Sequence, residues 1–428
     1  MPLPDVIEIT PLEKPVQAEI TVPGSKSITN RALVLAALAD GEVTLHGALW
    51  SEDTQVMVDC LRELGFMINV EADRAEASNR TITVYGMSGT VPRGGTVEQP
   101  LELFVGNAGT AARFLAAMLC LGAGVYRLHG VPRMHERPQA ALFTALRALG
   151  YQIDSPNNLL PALIHGGGPR AGECSVSIEE SSQFASALLL CAKRAGWIVE
   201  VTGENAEESP YVVMTAELCR RFPSGGGEFS IEPDASSGSY LWAADYLQRL
   251  SDEPHGPRIV VAHWPQSGWQ IDANFPRYLP LPAELSREAH LGDAIMTAIV
   301  LAPFQDHPTR FTDLSRLRIQ ECERVKALRT ELAKCGAKVV ETGDTLEITP
   351  GNLHGATVET YDDHRMAMCF ATLGLKVPGM RINNPRCVRK TFPNFFQKLA
   401  TKPPAGLGVR IVDVRSGQNV PVAELMAE

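Results

Sequence analysis

The sequence predicts an α/β protein of two domains, each built from three β-α-β-α-β-β-like units. Three observations predict it. Six stretches place a small or polar residue ahead of an apolar run: Ser25-Lys26-Ser27-Ile28-Thr29-Asn30-Arg31, Asn107-Ala108-Gly109-Thr110-Ala111-Ala112-Arg113, Ser181-Ser182-Gln183-Phe184-Ala185-Ser186, Asp234-Ala235-Ser236-Ser237-Gly238-Ser239-Tyr240, Gly292-Asp293-Ala294-Ile295-Met296-Thr297 and Asp362-Asp363-His364-Arg365-Met366-Ala367-Met368. Such residues satisfy the orphan N–H groups of a first helical turn. The first three runs each lead to a glycine (Gly41, Gly124, Gly196) and then to strand-like sequence from Glu42, Val125 and Trp197. Later in the units come second, more charged helices, clearest at Asp59–Gly65, Ala145–Gly150 and Leu328–Gly336. Recurrence at long period fixes an architecture before any single element does.

Taken in order, residues 1 to about 22 read as extended sequence, with Val6–Ile9 and Ala18–Val22 as strands. Pro23-Gly24 then breaks the chain, and Ser25 or Ser27 caps an Ala/Leu-rich buried helix. Units one to three fill the chain to about residue 231. The loop Pro223-Ser224-Gly225-Gly226-Gly227 marks a crossing between domains, followed by the fourth helix. Six prolines between residues 250 and 290 exclude long helices there, so strands and loops are expected. Units five and six run from Gly292 to about Leu399, and the tail carries one strand-like run, Val409–Val414.

Composition excludes several classes. With 428 residues and 45% hydrophobic content the chain is long enough for two cores. A net charge of −10 argues against nucleic acid or an anionic membrane as the main partner. The first residues have neither a basic nor an apolar leader segment, so no signal peptide is expected, and no apolar run reaches the ~20 residues of a membrane span. The nine cysteines are dispersed without a C-x-x-C pair, which suits reduced thiols in the cytoplasm, and the ten histidines make no zinc spacing.

A helix start presents N–H groups and the positive end of its dipole, which favours an anion. Cations stand near these starts: Lys26 and Arg31, Arg133 and Arg137, Arg324, Arg365 and Lys390. Converging on one cleft, they suit a substrate carrying several phosphate and carboxylate groups. Asp293, Glu321 and Glu323 are the proton-transfer candidates; burial or substrate charge must tune a general acid upward among so many cations. Taken singly, simpler roles suffice: Asp293 as an N-cap, Glu321 as the i,i+3 partner of Arg324, and Ser181-Ser182 as a cap. No phosphate-binding loop of the G-x-x-x-x-G-K-[ST] type is present, and Gly106-Asn107-Ala108-Gly109 lacks the dinucleotide pattern.

In order along the chain, Pro23-Gly24-Ser25-Lys26-Ser27, Gly106-Asn107-Ala108-Gly109-Thr110, Pro132-Arg133-Met134-x-Glu136-Arg137-Pro138, Ser181-Ser182-Gln183, Asp234-Ala235-Ser236-Ser237, Asp363-His364-Arg365-Met366-Ala367-Met368 and Lys390-Thr391-Phe392-Pro393 closely resemble the 5-enolpyruvylshikimate-3-phosphate synthase family. The resemblance runs from about residue 8 to residue 400 and is specific through the ordered set. It implies two domains, each of three units packed with pseudo-threefold symmetry as an inside-out α/β barrel, and an active site in the interdomain cleft. One domain contains both termini (1–22 and 232–428, with a tail from about 402) and the other spans 23–231. The implied reaction moves the enolpyruvyl group of phosphoenolpyruvate to the 5-hydroxyl of shikimate 3-phosphate, by addition and elimination, in aromatic amino-acid biosynthesis. Lys26, Asp293 and Glu321 resemble the catalytic residues, Asp293 as the base and Glu321 as the acid that protonates the methylene. Lys26, Ser27, Arg31, Ser181, Ser182, Gln183, Ser209, Tyr211, Asp293, Arg316 and Gln320 match the shikimate 3-phosphate side. Lys26, Asn107, Gly109, Thr110, Arg133, Gln183, Arg324, His364, Arg365 and Lys390 match the phosphoenolpyruvate side. No metal, cofactor, nucleic acid or membrane is implied: the expected form is a cytoplasmic monomer acting on two small anions.

The chain departs from the family at four positions. Gln320 stands where lysine is usual, Arg316 where asparagine is frequent, Glu208 where a serine is usual, and Phe114 where a proline is common. Gln320 removes a cation beside the expected shikimate phosphate, which lowers affinity unless Arg316 returns it. The nearest rival is the UDP-N-acetylglucosamine enolpyruvyl transferase, which normally carries a loop cysteine where this chain has Arg133-Met134-His135-Glu136-Arg137. A non-catalytic anion-binding relative, or an RNA-processing one, is the rival of another class; the net charge disfavours RNA.

Overall fold

A computed structural model describes residues 3–203, 209–250 and 258–427. The chain forms two compact units, Met1–Pro23 with Pro233–Glu428, and Gly24–Glu232. Strands β1 (Val6–Ile9) and β2 (Ala18–Ile20) open the chain and belong to the first.

The second unit runs α1 (Lys26–Ala37), β3 (Glu42–Leu49), α2 (Glu52–Glu63), β4 (Ile68–Ala72) and β5 (Asn79–Tyr85). Next come β6 (Leu101–Phe104), α3 (Gly109–Leu119), β7 (Val125–His129), α4 (Ala140–Ala148), β8 (Gln152–Asp154) and β9 (Ala162–His165). It ends with β10 (Gly172–Ser177), α5 (Ser182–Ala195), β11 (Trp197–Thr202), α6 (Ser209–Arg221) and β12 (Gly227–Ser230). In the middle repeat β6 lies parallel to β7, and the hairpin β8–β9 adds antiparallel, giving the order β6-β7-β9-β8. The first repeat has the same sheet, β12-β3-β5-β4, with its parallel partner supplied by the far end of the unit. Among its described residues the third has the parallel pair β10–β11.

The first unit continues with α7 (Ala235–Arg249) and β13 (Ile259–Val261), which pairs parallel with β2. Then follow β14 (Glu284–Ser286), α8 (Ile295–Leu301), β15 (Thr309–Thr312), α9 (Arg324–Lys334), β16 (Lys338–Thr342) and β17 (Thr345–Thr349), in the sheet order β14-β15-β17-β16. The last repeat comprises β18 (Thr357–Val358), α10 (His364–Gly374), β19 (Met380–Asn383), α11 (Phe395–Ala400) and β20 (Ile411–Asp413), in the order β18-β19-β1-β20. Among the described residues the β-α-β-α-β-β pattern is therefore complete in four of the six repeats, and two show the parallel pair alone. The tail strand is structural: β20 pairs antiparallel with β1, Ile7 opposite Asp413. Around residues 250–290 the described chain forms short strands and a 3-10 run, Ile271–Tyr278, containing Pro276.

The helices are inside and the sheets outside. In the second unit α1, α3 and α5 touch one another; in the first, α7, α8 and α10 do. Every residue of α3, α8 and α10 is buried. Alanine, glycine, serine and threonine along these helices let backbones approach closely, and each fully buried Leu, Ile or Phe contributes ~1.5–3 kcal/mol. The hairpin strands alternate instead, as β17 does with Leu346 and Ile348 inward and Glu347 and Thr349 outward, the pattern of a sheet with one solvated face. Helices α2, α4 and α9 share one ending. Gly65, Gly150 and Gly336 take φ of +92°, +86° and +91°. The following N–H groups of Phe66, Tyr151 and Ala337 reach back to Leu61, Leu146 and Leu332 at 3.0, 3.2 and 3.0 Å, which is the Schellman closure. Among the described residues no helix is long and apolar enough to cross a membrane.

Candidate functional site

In the first unit the predicted residues meet around Asp293. The expected N-cap role is replaced: α8 begins at Ile295, its N-cap is Ala294, and no side chain caps it. The turn before it is held from elsewhere. Asp272, 3% exposed in the 3-10 run, accepts the N–H groups of Gly292 and Ala294 on one oxygen, at 2.8 and 3.1 Å, and the Ser236 hydroxyl on the other. Gln270, two residues earlier, accepts the Ala235 N–H at the start of α7 (3.0 Å). One short segment thus meets the start of α7 and the turn before α8, and holds the backbone on both sides of Asp293.

Those partners are cations. Arg365 Nη2 lies 3.0 Å from Asp293 Oδ2, Arg287 Nη2 lies 3.1 Å from Oδ1, and Arg324 Nη1 stands 4.0 Å from Oδ1. Burial alone raises the Asp293 pKa; Arg365, Arg287 and Arg324 outweigh it and hold the carboxyl far below the usual range, with Glu321 opposing them. Gln320 spans the gap, accepting from Arg324 Nη1 and placing its own Nε2 3.5 Å from Asp293 Oδ1.

Glu321 has its expected i,i+3 contact, Arg324 Nη2 at 2.8 Å, and a second cation, Lys390 Nζ, at 3.3 Å. Arg324 is 1% exposed and is gripped on its far side by Asp363, Nε to Oδ2 at 2.7 Å and Nη2 to Oδ1 at 3.2 Å. Burial disfavours its charge, but Asp363, Glu321 and Asp293 more than restore it. Asp363 also caps α10 through the Arg365 N–H (2.9 Å), so one carboxylate orients both arginines. His364, 1% exposed, has Nδ1 3.7 Å from Asp363 Oδ1. Arg316 is buried in the 3-10 turn Ser315–Arg318, which leads toward Gln320. Glu323, the third carboxylate considered, caps α9 at Lys326 N (2.6 Å) and pairs with Arg318 at 2.7 Å.

In the second unit Lys26 opens α1, and its Nζ pairs with Asp53 of α2 at 3.2 Å; Ser27 follows on the same turn. Ser25 is the N-cap residue of α1, but its side chain makes no capping bond. Arg31 is 1% exposed and points among neutral groups: the Ser27 carbonyl (2.8 Å), Ser186 Oγ (2.9 Å) and Thr215 Oγ1 (2.7 Å). Burial pulls its pKa down to about 10. Its guanidinium lies 5.1 Å from the centre of the Phe114 ring, which gives that departure a role as an aromatic shelf. Asn30 donates to Thr110 Oγ1 at 2.9 Å and ties α1 to α3 near their starts.

Helix α3 begins at Gly109 with Ala108, not Asn107, at its N-cap. Asn107 instead accepts from Arg137 through its carbonyl at 3.2 Å. A Cβ on Gly109 would stand 2.6 Å from Arg137 Nη2 and 3.0 Å from Arg113 Nη1, so only glycine leaves room for the two guanidiniums. Arg133 is half-buried in the turn Pro132–Glu136 and pairs with Glu136 at 2.7 Å. Ser181 caps α5 as expected, accepting from Gln183 N at 3.2 Å, with Ser182 as its first residue. Tyr211 lies in α6, where its carbonyl accepts from Thr215. Glu208 and the Ser209 side chain lie outside the described residues. Sequence reasoning missed Arg287, Asp272 and Asp53, and passed over Asp363 as a site residue; of these only Asp363 lay in a quoted motif. Among the described residues no group of three or more His, Cys, Asp or Glu side chains is placed to hold a metal ion.

A family model described as EPSP synthase (3-phosphoshikimate 1-carboxyvinyltransferase) matches residues 11–224 and 282–399. The 3-phosphoshikimate 1-carboxyvinyltransferase of Opitutus terrae is 39% identical over 94% of this chain and 98% of its own length. That of Laribacter hongkongensis is 40% identical over 89% and 96%. A solved EPSP synthase from Acinetobacter baumannii has a TM-score of 0.71 at 20% identity, covering 95% of this chain and 99% of that one. The enolpyruvyl transferase NikO from Streptomyces tendae has a TM-score of 0.68 at 14% identity, covering 98% and 100%. The two solved structures speak for the fold, and the family match and the relatives for descent: this chain belongs to the EPSP synthase (3-phosphoshikimate 1-carboxyvinyltransferase) family.

Proposed function

We infer that the chain transfers the enolpyruvyl group of phosphoenolpyruvate to the 5-hydroxyl of shikimate 3-phosphate, releasing inorganic phosphate. The observation that carries the reading is one guanidinium, Arg324, shared between two carboxylates, with Arg365 on the outer side of Asp293 and Lys390 on the outer side of Glu321. Such a cluster binds a doubly anionic substrate and leaves two proton carriers beside it.

In the addition step the 5-oxygen bonds to C2 of phosphoenolpyruvate and gives its proton to Asp293. The methylene carbon takes a proton from Glu321. The product is a tetrahedral adduct that carries both the phosphate and the new ether. Elimination breaks the bond from C2 to the phosphate oxygen, releasing phosphate, while the Glu321 carboxylate takes back a proton from the new methyl group, restoring the double bond. Phosphate and carboxylate on Arg324, Arg365 and Lys390 loosen the hold of these cations on Asp293 and Glu321, so substrate binding readies both carboxylates. In the second unit, taken by itself, the helix starts carrying Lys26, Gly109 and Ser182 present N–H groups and charge that suit anionic groups. The partners in this reading are small molecules, and the chain acts as a cytoplasmic monomer.

The test is release of inorganic phosphate from phosphoenolpyruvate, followed with and without shikimate 3-phosphate. Release that depends on shikimate 3-phosphate is expected. Release that depends on UDP-N-acetylglucosamine instead, or none with either acceptor, would overturn the reading.

A further inference from the structure

We propose that Arg287 is a positioning residue for this reaction: fixed at the end of β14, its guanidinium stays on Asp293 while bound substrate draws Arg324 and Arg365 away. The inference rests on the reading of Asp293 as the proton acceptor.

The charged and polar groups facing Asp293 come from five elements. Arg287 stands at the end of β14, Gln320 and Glu321 lie in the turn before α9, Arg324 opens α9, Arg365 is in α10, and Asp272 is in the 3-10 run. Two of the three arginines are assigned to phosphoenolpyruvate. Their charge is shared with any anion that binds, so neither holds the Asp293 carboxylate in one orientation through the reaction.

Arg287 is held differently. It is 3% exposed, and its N–H donates to the Thr312 carbonyl of the neighbouring β15 at 3.2 Å. The loop from Ser286 to Asp293 is closed on itself, with the His290 N–H donating to the Ser286 carbonyl (3.1 Å) and Ser286 N donating to His290 Nδ1 (2.9 Å). At its far end Asp272 pins Gly292 and Ala294. A rigid loop thus joins cation and carboxylate, and the contact falls on one oxygen, Oδ1, which Gln320 and Arg324 also approach. Oδ2 faces Arg365. When Arg365 turns to substrate, Oδ2 is the oxygen set free to take the 5-hydroxyl proton, and Arg287 keeps the carboxylate rotated so that it does.

The arrangement has a pH signature. Arg287 is one of the three cations that lower the Asp293 pKa, so its removal raises that pKa. Catalysis needs Asp293 ionised, so the acidic limb of kcat must move to higher pH. A role confined to packing would not move it.

The experiment measures phosphate release by the full chain with both substrates, across pH, for the wild type, Arg287→Gln and Arg287→Lys. We expect Arg287→Gln to lower kcat by about 10²-fold, with KM for phosphoenolpyruvate changed by less than about threefold and the acidic limb displaced to higher pH. Arg287→Lys restores the charge without the fork and falls between the two. Should Arg287→Gln fail to fold, Arg287→Lys alone still carries the test, through a loss of kcat at constant KM. A wild-type profile in both variants would overturn the proposal. So would a fall in kcat with an unmoved limb and no recovery in Arg287→Lys, or a loss confined to KM. A wild type that releases no phosphate would overturn the underlying reading and this inference together; loss in the variants alone concerns Arg287.

Discussion

Arg324 is the residue on which the candidate site turns. Its three nitrogens face three carboxylates and one amide, with Asp293 and Glu321 both among them. A guanidinium does this because its donors fan out in one plane; lysine has a single point charge and no fork. Gln320 belongs to this geometry too. It accepts from Arg324 and reaches toward Asp293, and a lysine at 320 has no acceptor to offer Arg324. The residue-scale prediction concerns the proposed acid. Glu321→Gln keeps the shape and the contact with Arg324 but has no proton to give. Its kcat for phosphate release should fall by ~10²-fold or more while the calorimetric affinity for shikimate 3-phosphate changes little. Near-normal turnover would leave Glu321 as a partner of Arg324 and nothing more.

At the scale of elements, helix ends show two solutions to one problem. Helices α5, α7 and α10 begin with local caps, Ser181, Asp234 and Asp363. Helix α8 has no side-chain cap; Asp272, about twenty residues upstream, holds the turn before it through Gly292 N and Ala294 N. At the other ends, three glycines in left-handed backbone close α2, α4 and α9. Gly150 has open space, with only Arg170 Nη1 at 3.8 Å from an added Cβ, whereas at Gly336 the Cβ meets the His354 ring at 3.1 Å. Gly150→Ala should therefore cost only the backbone term, ~1–2 kcal/mol, a fall in Tm of about 2–8 °C for a unit of this size. Gly336→Ala should cost more, because the ring must also move. Thermal unfolding of the two variants decides it, and equal losses would mean that the His354 contact costs nothing.

At the scale of the whole molecule, nine free thiols are distributed through both units, seven of them buried. Burial pushes Cys60 and Cys369 up to about 12, and Cys219 and Cys335 up to about 11. A thiol held protonated is a poor nucleophile, so at pH 8 a thiol reagent should label the native chain slowly and all nine positions quickly once it is unfolded. Cys219 and Cys322, the two partly exposed, should lead. Rapid native labelling of Cys120 or Cys191, both in the helical interior of the second unit, would show frequent opening of that core. The tail is bound into the same scale of organisation. With β20 against β1, and Leu425 and Ala427 buried, the last residues are part of the first unit's core.

By itself the sequence determined the repeats, because capped apolar helices, β-rich runs and helix-ending glycines are local signals repeated at long period. It also determined the family, through motifs in order, and most of the residues that meet at Asp293. The tertiary structure decided what those residues do to one another. Asp293 reads as a cap in sequence and is a carboxylate among three guanidiniums in the fold, because α8 starts two residues later and folding sets Arg287, Arg324 and Arg365 beside it. Arg31 reads as a cation at a helix start and lies buried on Phe114, because α1 packs among α3, α5 and α6. Arg287 and Asp53 carry no local mark at all. Their partners stand on other segments, and a charge gains its meaning from whatever folding sets beside it, which spacing along the chain does not encode.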